Sequence, residues 1–297
     1  MILVVCLNPA LDVTYHVDAL VVGASLQVKA QRDRAGGKGV NVARVLHQLG
    51  AQFSVVGLAG GHRGQMITDE LEAAGITGRW TSIDSETRRT VTVVDTDATV
   101  LREIGPTCSS TEWNSFVASY SEALDEADVV VLSGSLPRGL PVDSYALLIE
   151  LAAARSVRVV VDTAGAELVP AVGARPYLAK PNTDEAAAAW PGLDPLDAIV
   201  AAGARNALVS GGKAGLRAVL DGRQFVVQAP VVVGNPTGAG DALTAGLAAG
   251  IAAWREWPTI LCDAVAVAAG SVALPYAGGF DREVADKVRP QITIEEL

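Results

Sequence analysis

Apolar and polar residues follow different periods in different parts of this chain, and those periods divide it into elements. Apolar β-rich runs occur at residues 2–7, 53–58, 129–132, 157–161, 177–179 and 207–209. Helical patterns fill the intervals at 40–49, 65–74, 111–124, 142–154, 183–189 and 196–201. A run that is apolar without alternation suits a strand buried on both faces. Its regular exchange with helices predicts an α/β fold with a mostly parallel sheet layered between helices. Two segments depart from this pattern, 11–34 and 81–104. They contain half-polar stretches such as Asp12-Val13-Thr14-Tyr15-His16-Val17 and Arg89-Thr90-Val91-Thr92-Val93-Val94. Period-two alternation means one buried and one wet face. If these stretches pair, they form a small sheet standing off the layered core, suited to a lid that excludes water, to an oligomer interface, or to both. No internal repeat, low-complexity tract or linker interrupts the pattern, so residues 1–297 read as one domain bearing this lid.

Composition narrows the partners. Half of the residues are apolar and the formal net charge is -10, with no long run of Lys or Arg. That balance excludes nucleic acid or an anionic membrane surface as the main partner, and leaves small anionic substrates open. Cys6, Cys108 and Cys262 are odd in number, far apart and not at metal-ligand spacing, which suits a reducing cytoplasm. The first apolar run lacks a basic flank and is too short for a signal peptide or a membrane span, and the Ala/Gly-rich run at 243–254 reads as a buried helix.

Three polar clusters interrupt the apolar framework. In Gly234-Asn235-Pro236-Thr237-Gly238-Ala239-Gly240-Asp241, small residues open a helix and one carboxylate sits in its first turn. Free N–H groups at such a start attract a phosphate, and Asp241 beside it can take a proton from an attacking alcohol, or simply complement the helix dipole. The cluster Gly36-Gly37-Lys38-Gly39-Val40-Asn41 is either a turn opening a helix or a cradle for a polyhydroxyl compound or its phosphate. No Ser or Thr follows Lys38, so it is not a Walker A loop, and Gly211-Gly212-Lys213-Ala214-Gly215 fails the same test. In Lys180-Pro181-Asn182-Thr183-Asp184-Glu185, the three-residue spacing of Asn182 and Glu185 first suggests an N-cap with its capping-box partner. Second, it suggests two oxygen donors facing a hydrated Mg²⁺.

These clusters, with Asn8-Pro9-Ala10-Leu11-Asp12 and Ser133-Gly134-Ser135-Leu136-Pro137, occur in an order that closely resembles the ribokinase/PfkB carbohydrate kinase family from residue 7 to about residue 279. The opening motif is most similar to the 1-phosphofructokinase and tagatose-6-phosphate kinase branch. The resemblance implies a ribokinase-like three-layer α/β/α fold with a small β-sheet lid, ATP and Mg²⁺ as cofactors, and a homodimer formed through the lid. It implies Asp241 as catalytic base, with Gly238, Ala239 and Gly240 holding the transferring phosphoryl group. Asp12, Gly36, Gly37, Lys38, Asn41 and Ser135 would bind the sugar, and Arg88 a phosphate already on it, unless Arg88 is an exposed lid residue. Lys180, Asn182, Ser210, Gly212, Gly215 and Ser271 would border the nucleotide, and Asn182 and Glu185 would organise Mg²⁺ mostly through water.

The chain departs from the family pattern at Asn235-Pro236, where Asp-Thr or Ser-Thr is usual, and at Leu26-Gln27, where the branch often has a polar pair. The expected activity is phosphorylation of a ketohexose phosphate by ATP, first fructose 1-phosphate, then tagatose 6-phosphate or fructose 6-phosphate. A kinase of an unphosphorylated sugar or nucleoside, and a silent sensor of a sugar phosphate, are the alternatives.

Overall fold

The computed structural model describes residues 1–297. Its strands are β1 (Ile2–Cys6), β2 (Ala10–His16), β3 (Ala30–Gly36), β4 (Phe53–Gly60), β5 (Gly78–Ile83), β6 (Arg88–Val94), β7 (Ala98–Arg102), β8 (Val129–Ser133), β9 (Arg158–Asp162), β10 (Leu178–Ala179), β11 (Asn206–Ser210), β12 (Leu216–Leu220), β13 (Arg223–Gln228) and β14 (Thr293–Glu296). Its helices are α1 (Lys38–Leu49), α2 (Gly61–Ala73), α3 (Ser110–Ala123), α4 (Ser144–Ala153), α5 (Leu168–Gly173), α6 (Thr183–Ala189), α7 (Pro195–Ala202), α8 (Ala239–Ala252), α9 (Trp257–Val272) and α10 (Arg282–Val288).

Ten strands form the main sheet in the order β14-β13-β12-β11-β10-β9-β8-β1-β4-β5. From β11 to β5 every pairing is parallel, and from β11 outward to β14 every pairing is antiparallel. Side chains alternate across a strand, so β1 sends Ile2, Val4 and Cys6 into one buried cluster and Leu3 and Val5 into the other. The first cluster lies under α1, α8 and α9, the second under α3, α4 and α5. A sheet covered on both faces explains why its strands lack alternation in the sequence. No helix is long and apolar enough to cross a membrane.

The second sheet has the order β3-β2-β6-β7 and hangs from the first. β2 starts shortly after β1, and β3 ends at Gly36, immediately before Gly37 caps α1. Residues 81–83, assigned to the lid from the sequence, belong instead to β5, which pairs with β4 in the main sheet. The hairpin β12–β13 and the edge strand β14 extend the sheet beyond the alternating pattern read from the sequence.

The carboxyl ends of the parallel strands converge on one rim. Ser133 ends β8, Asp162 ends β9, Lys180 follows β10 and Ser210 ends β11. Ligand sites of open α/β sheets lie at this end, because the loops that leave it diverge toward opposite faces.

Candidate active site

The centre of the rim is a buried ionic cluster. Asp162 is 2% exposed and takes Lys38 Nζ at 3.2 Å on Oδ1 and Lys180 Nζ at 3.1 Å on Oδ2. Thr244 Oγ1 lies 2.9 Å from Asp162 Oδ2 and 2.9 Å from the Gly240 carbonyl. Burial alone would raise the Asp162 carboxyl. The ammonium groups of Lys180 and Lys38, with the hydrogen bonds from Thr244 and Lys180, outweigh it and hold the group below the ordinary carboxylate range. Lys38 also lies 3.5 Å from Glu185 Oε1. Burial opposes its charge, but Asp162, Glu185 and Asp241 outweigh that and push its affinity for a proton above the ordinary lysine value.

Asp241 is 6% exposed in the first turn of α8 and accepts a hydrogen bond from Asn41 Nδ2 at 2.8 Å. Its carboxyl is pushed up to about 7, by burial first and by the Asp162 charge second. The Asn41 bond and the two lysines oppose this only in part. Two carboxylates thus share one pocket in unequal environments: Asp162 engages both cations and stays ionised, and Asp241 titrates near neutrality. Such a split is how a site provides a proton acceptor matched to neutral pH.

The turn before Asp241 presents main-chain donors. Gly238 caps α8 in the left-handed region, with φ of 88°. The amides of Gly238, Gly240 and Asp241 have no hydrogen-bond partner in the chain. Ala239, expected to donate with them, instead bonds back to the Pro236 carbonyl at 3.2 Å. A Cβ on Gly240 would lie 3.9 Å from Lys180 Nζ, so an anion seated on the free amides has an ammonium beside it.

A cleft of about 680 Å³ opens next to this turn. Asn182, Ser210, Gly212, Gly215 and Gly240 line its polar side, and Leu216, Val227, Val265, Ala268 and Val272 its apolar side. Ser271, expected to border the nucleotide, does not line this cleft and is fully buried with its hydroxyl unpartnered. Lys180 is buried against Asp162, and its ammonium reaches the amide turn beside Gly240. Asn182 caps α6: its side chain accepts from the Glu185 amide at 2.8 Å, and Glu185 Oε2 accepts from the Asn182 amide at 2.9 Å. No group of three or more His, Cys, Asp or Glu side chains is arranged to hold a metal. The cap uses Asn182 Oδ1 and Glu185 Oε2, and Glu185 Oε1 lies 3.5 Å from Lys38 Nζ.

The lid adds a row of charge. Register places Arg34, Asp12, Thr90 and Arg102 side by side across β3, β2, β6 and β7, and in-register neighbours share a face. Arg88 precedes Thr90 by two residues and lies on that face too. Burial pushes Asp12 up to about 6, against the Thr90 hydrogen bond and the charges of Arg88, Arg34 and Arg102. A Cβ on Gly36 would overlap the Asp12 carboxylate, so any side chain there would displace that carboxylate. Arg88 Nε donates to Asn8 Oδ1 at 3.0 Å and its Nη2 to the Asn8 carbonyl at 3.1 Å, and Asn8 Nδ2 in turn donates to Ser135 Oγ at 3.0 Å. Arg89 points to the other face and pairs with Glu103. Leu26 and Gln27 lie in the exposed connection between β2 and β3.

Asp162, at the centre of the ionic cluster, closes β9 one residue beyond the apolar run at 157–161, a carboxylate at the end of a buried parallel strand.

A buried carboxylate titrating near 7, free main-chain amides and a half-apolar cleft meet at the carboxyl rim. A family model described as the pfkB family carbohydrate kinases matches residues 1–281. The chain belongs to that family and is a carbohydrate kinase. It is similar to the structure of a candidate phosphofructokinase from Staphylococcus aureus, at 27% identity and a TM-score of 0.86 over 100% of this chain and 99% of that one. A candidate 1-phosphofructokinase from Thermotoga maritima gives 25% identity and a TM-score of 0.88 over 100% and 99%. Ribokinase from Thermotoga maritima, at 20% identity and a TM-score of 0.80 over 96% and 98%, shares the fold.

Proposed function

We propose that this kinase transfers the γ-phosphoryl group of ATP to a hydroxyl of a ketohexose phosphate, with fructose 1-phosphate the first candidate and fructose 1,6-bisphosphate its product. The observation that carries the reading is Asp241, a carboxylate titrating near 7 beside unpartnered amides. The acceptor oxygen bonds to the γ-phosphorus as the bond to the bridging oxygen of ADP breaks, and the acceptor proton passes to Asp241. Gly238 and Gly240 donate to the phosphoryl oxygens, and Lys180 lies alongside. Lys38 and Lys180 are held in place by Asp162, so they enter the reaction preorganised. Glu185 and Asn182 would hold a nucleotide-bound Mg²⁺ through water, where it would neutralise the phosphate charge.

The phosphorylated acceptor is favoured by the lid. Arg88 and Arg102 flank Asp12 on one face, and a guanidinium fork matches phosphate oxygens while Asp12 accepts from sugar hydroxyls. A candidate 1-phosphofructokinase among the similar structures points the same way. Exposed apolar residues on the lid and its connection, including Val21, Val22, Val100 and Leu101, support pairing of two lids in a homodimer. A cytoplasmic location belongs to the same reading. Thermal-shift screening against sugars, sugar phosphates and nucleosides, followed by a coupled ADP-release assay on the hits, tests it. Turnover on a ketohexose phosphate upholds the assignment, turnover only on an unphosphorylated acceptor replaces it, and binding without ADP release indicates a sensor.

A further inference from the structure

Residues 275–279 lie in the connection from α9 to α10 and touch each support of the phosphoryl site. On one side they abut the amide turn. A Cβ on Gly238 would fall 2.5 Å from Ala277 Cβ and 2.8 Å from Ala277 Cα, so the glycine is held by direct apposition. On a second side they rest on α1. A Cβ on Gly278 would fall 2.8 Å from Asn41 Oδ1 and 3.1 Å from Arg44 Cδ, and Asn41 is the donor to Asp241. On a third side Asn235 Nδ2 donates to the Pro275 carbonyl at 3.1 Å, while Asn235 Oδ1 accepts from the Thr237 amide at 3.0 Å.

The fourth side belongs to the lid. Arg34 Nη1 donates to the Ala277 carbonyl at 2.6 Å and Arg34 Nη2 to the Gly278 carbonyl at 3.2 Å. The guanidinium carbons of Arg34 and Arg32 lie 4.4 and 4.5 Å from the centre of the Tyr276 ring. A planar fork on two consecutive carbonyls fixes the orientation of the intervening peptide as a single point charge cannot. Two like charges on one ring repel each other, so the carbonyl bonds and the ring face must together hold the pair there. Arg34 is also the register partner of Asp12. The strand pair that holds the acceptor in the proposed function is therefore the one that carries this fork.

On the reading that the chain is a sugar phosphate kinase, we propose that Arg34 is a positioning residue that carries the seating of the lid to the phosphoryl-holding turn. By clamping the Ala277 and Gly278 carbonyls it sets Gly238 and Asn41, and through Asn41 the Asp241 carboxylate. The amide turn and the proton acceptor then reach their working geometry together, when the lid is in place.

Two readouts test this on the whole protein. The first is hydrogen exchange in the ligand-free chain at the hydrogen-bonded amides of two segments, Thr237 and Ala239 in 236–241 and Phe280 and Asp281 in 275–281, for the wild type and for Arg34→Ala, Arg34→Lys and Arg88→Ala. Arg34→Ala is expected to speed exchange in both segments about tenfold or more, Arg34→Lys to give an intermediate rate, and Arg88→Ala to leave both unchanged. The second is steady-state kinetics, where Arg34→Ala is expected to lower kcat about 20-fold or more while KM for acceptor and for ATP each change less than about threefold. A raised acceptor KM with kcat and exchange unchanged would make Arg34 a direct acceptor contact and overturn the proposal. If the wild type phosphorylates none of the acceptors, the kinase reading fails on its own. Exchange in Arg34→Ala still judges the clamp, and an unchanged rate overturns it. Should Arg34→Ala not fold, Arg34→Lys carries both readouts, and wild-type values in both overturn the proposal.

Discussion

Replacing Asp241 with Asn should abolish most activity and at the same time stabilise the protein. The carboxyl moves from its ordinary 3.8 to about 7 on folding. Each tenfold change in proton affinity is worth about 1.4 kcal/mol, so keeping this group ionised costs about 4 kcal/mol of folding free energy above pH 7. The sign follows from proton counting. Between pH 4 and 7 the folded chain retains a proton that the unfolded chain has lost, so stability falls as pH rises through that window and levels off beyond it. Asparagine carries no charge and can still accept from Asn41. Its own NH₂, however, faces Lys38 and Lys180, which have no acceptor to offer, and that offsets part of the gain. A net gain of about 1–3 kcal/mol at pH 8 remains, or roughly 2–6 °C in Tm, and a smaller one at pH 5. Turnover should drop about 100-fold or more because the proton has lost its acceptor. Calorimetry at pH 5 and pH 8 with a coupled ADP assay reads both effects. A Tm difference independent of pH would refute the raised carboxyl, and near-normal turnover would remove Asp241 from its role.

Four further outcomes follow from the same geometry. In the wild type, kcat/KM should rise with pH and reach half its plateau near pH 7, the point at which Asp241 loses its proton; a flat profile from pH 5 to 9 would argue against that assignment. Asp162→Asn leaves Lys38 and Lys180 without their shared counter-charge. A loss of about 3–5 kcal/mol in urea unfolding is expected, and a loss under about 1 kcal/mol would mean the lysines find other partners. Arg88→Ala should raise KM for a phosphorylated acceptor about tenfold or more and that for ATP less than twofold, whereas Arg89→Ala should change neither; equal effects of Arg88→Ala on both substrates would make that arginine structural. Gly36→Ala pushes the Asp12 carboxylate out of place and should weaken acceptor binding about tenfold, read as acceptor KM with the KM for ATP as control.

The central strands could be read from sequence because both faces of the sheet are covered, so each strand shows as a mostly apolar run without alternation. The outer hairpin has one wetter face. Its signal was alternation around Asp221-Gly222, a weaker pattern in which Arg217 and Arg223 face solvent. β14 is mostly polar and exposed, and only its pairing with β13 makes it a strand. Glycine clusters and the carboxylate at 241 were legible because local backbone chemistry demands them. The capping box of Asn182 and Glu185 was readable from spacing for the same reason. Neither the attachment of Lys38 to Asp162 nor the use of the Ala239 amide within its own turn was legible, since both depend on how distant or adjacent segments settle in three dimensions.

The hydrogen bond from Asn41 to Asp241 joins residues 200 positions apart, and the Lys38–Asp162 pair spans 124. During synthesis on the ribosome, then, every cation of the site is made before the proton acceptor exists. A chain arrested or clipped ahead of α8 has the lysines and their counter-ion but nothing that can accept a proton from an alcohol. Because these contacts are so non-local, loop closure is costly and late in folding. On the proposed mechanism, phosphoryl transfer therefore requires a chain extended at least through α8.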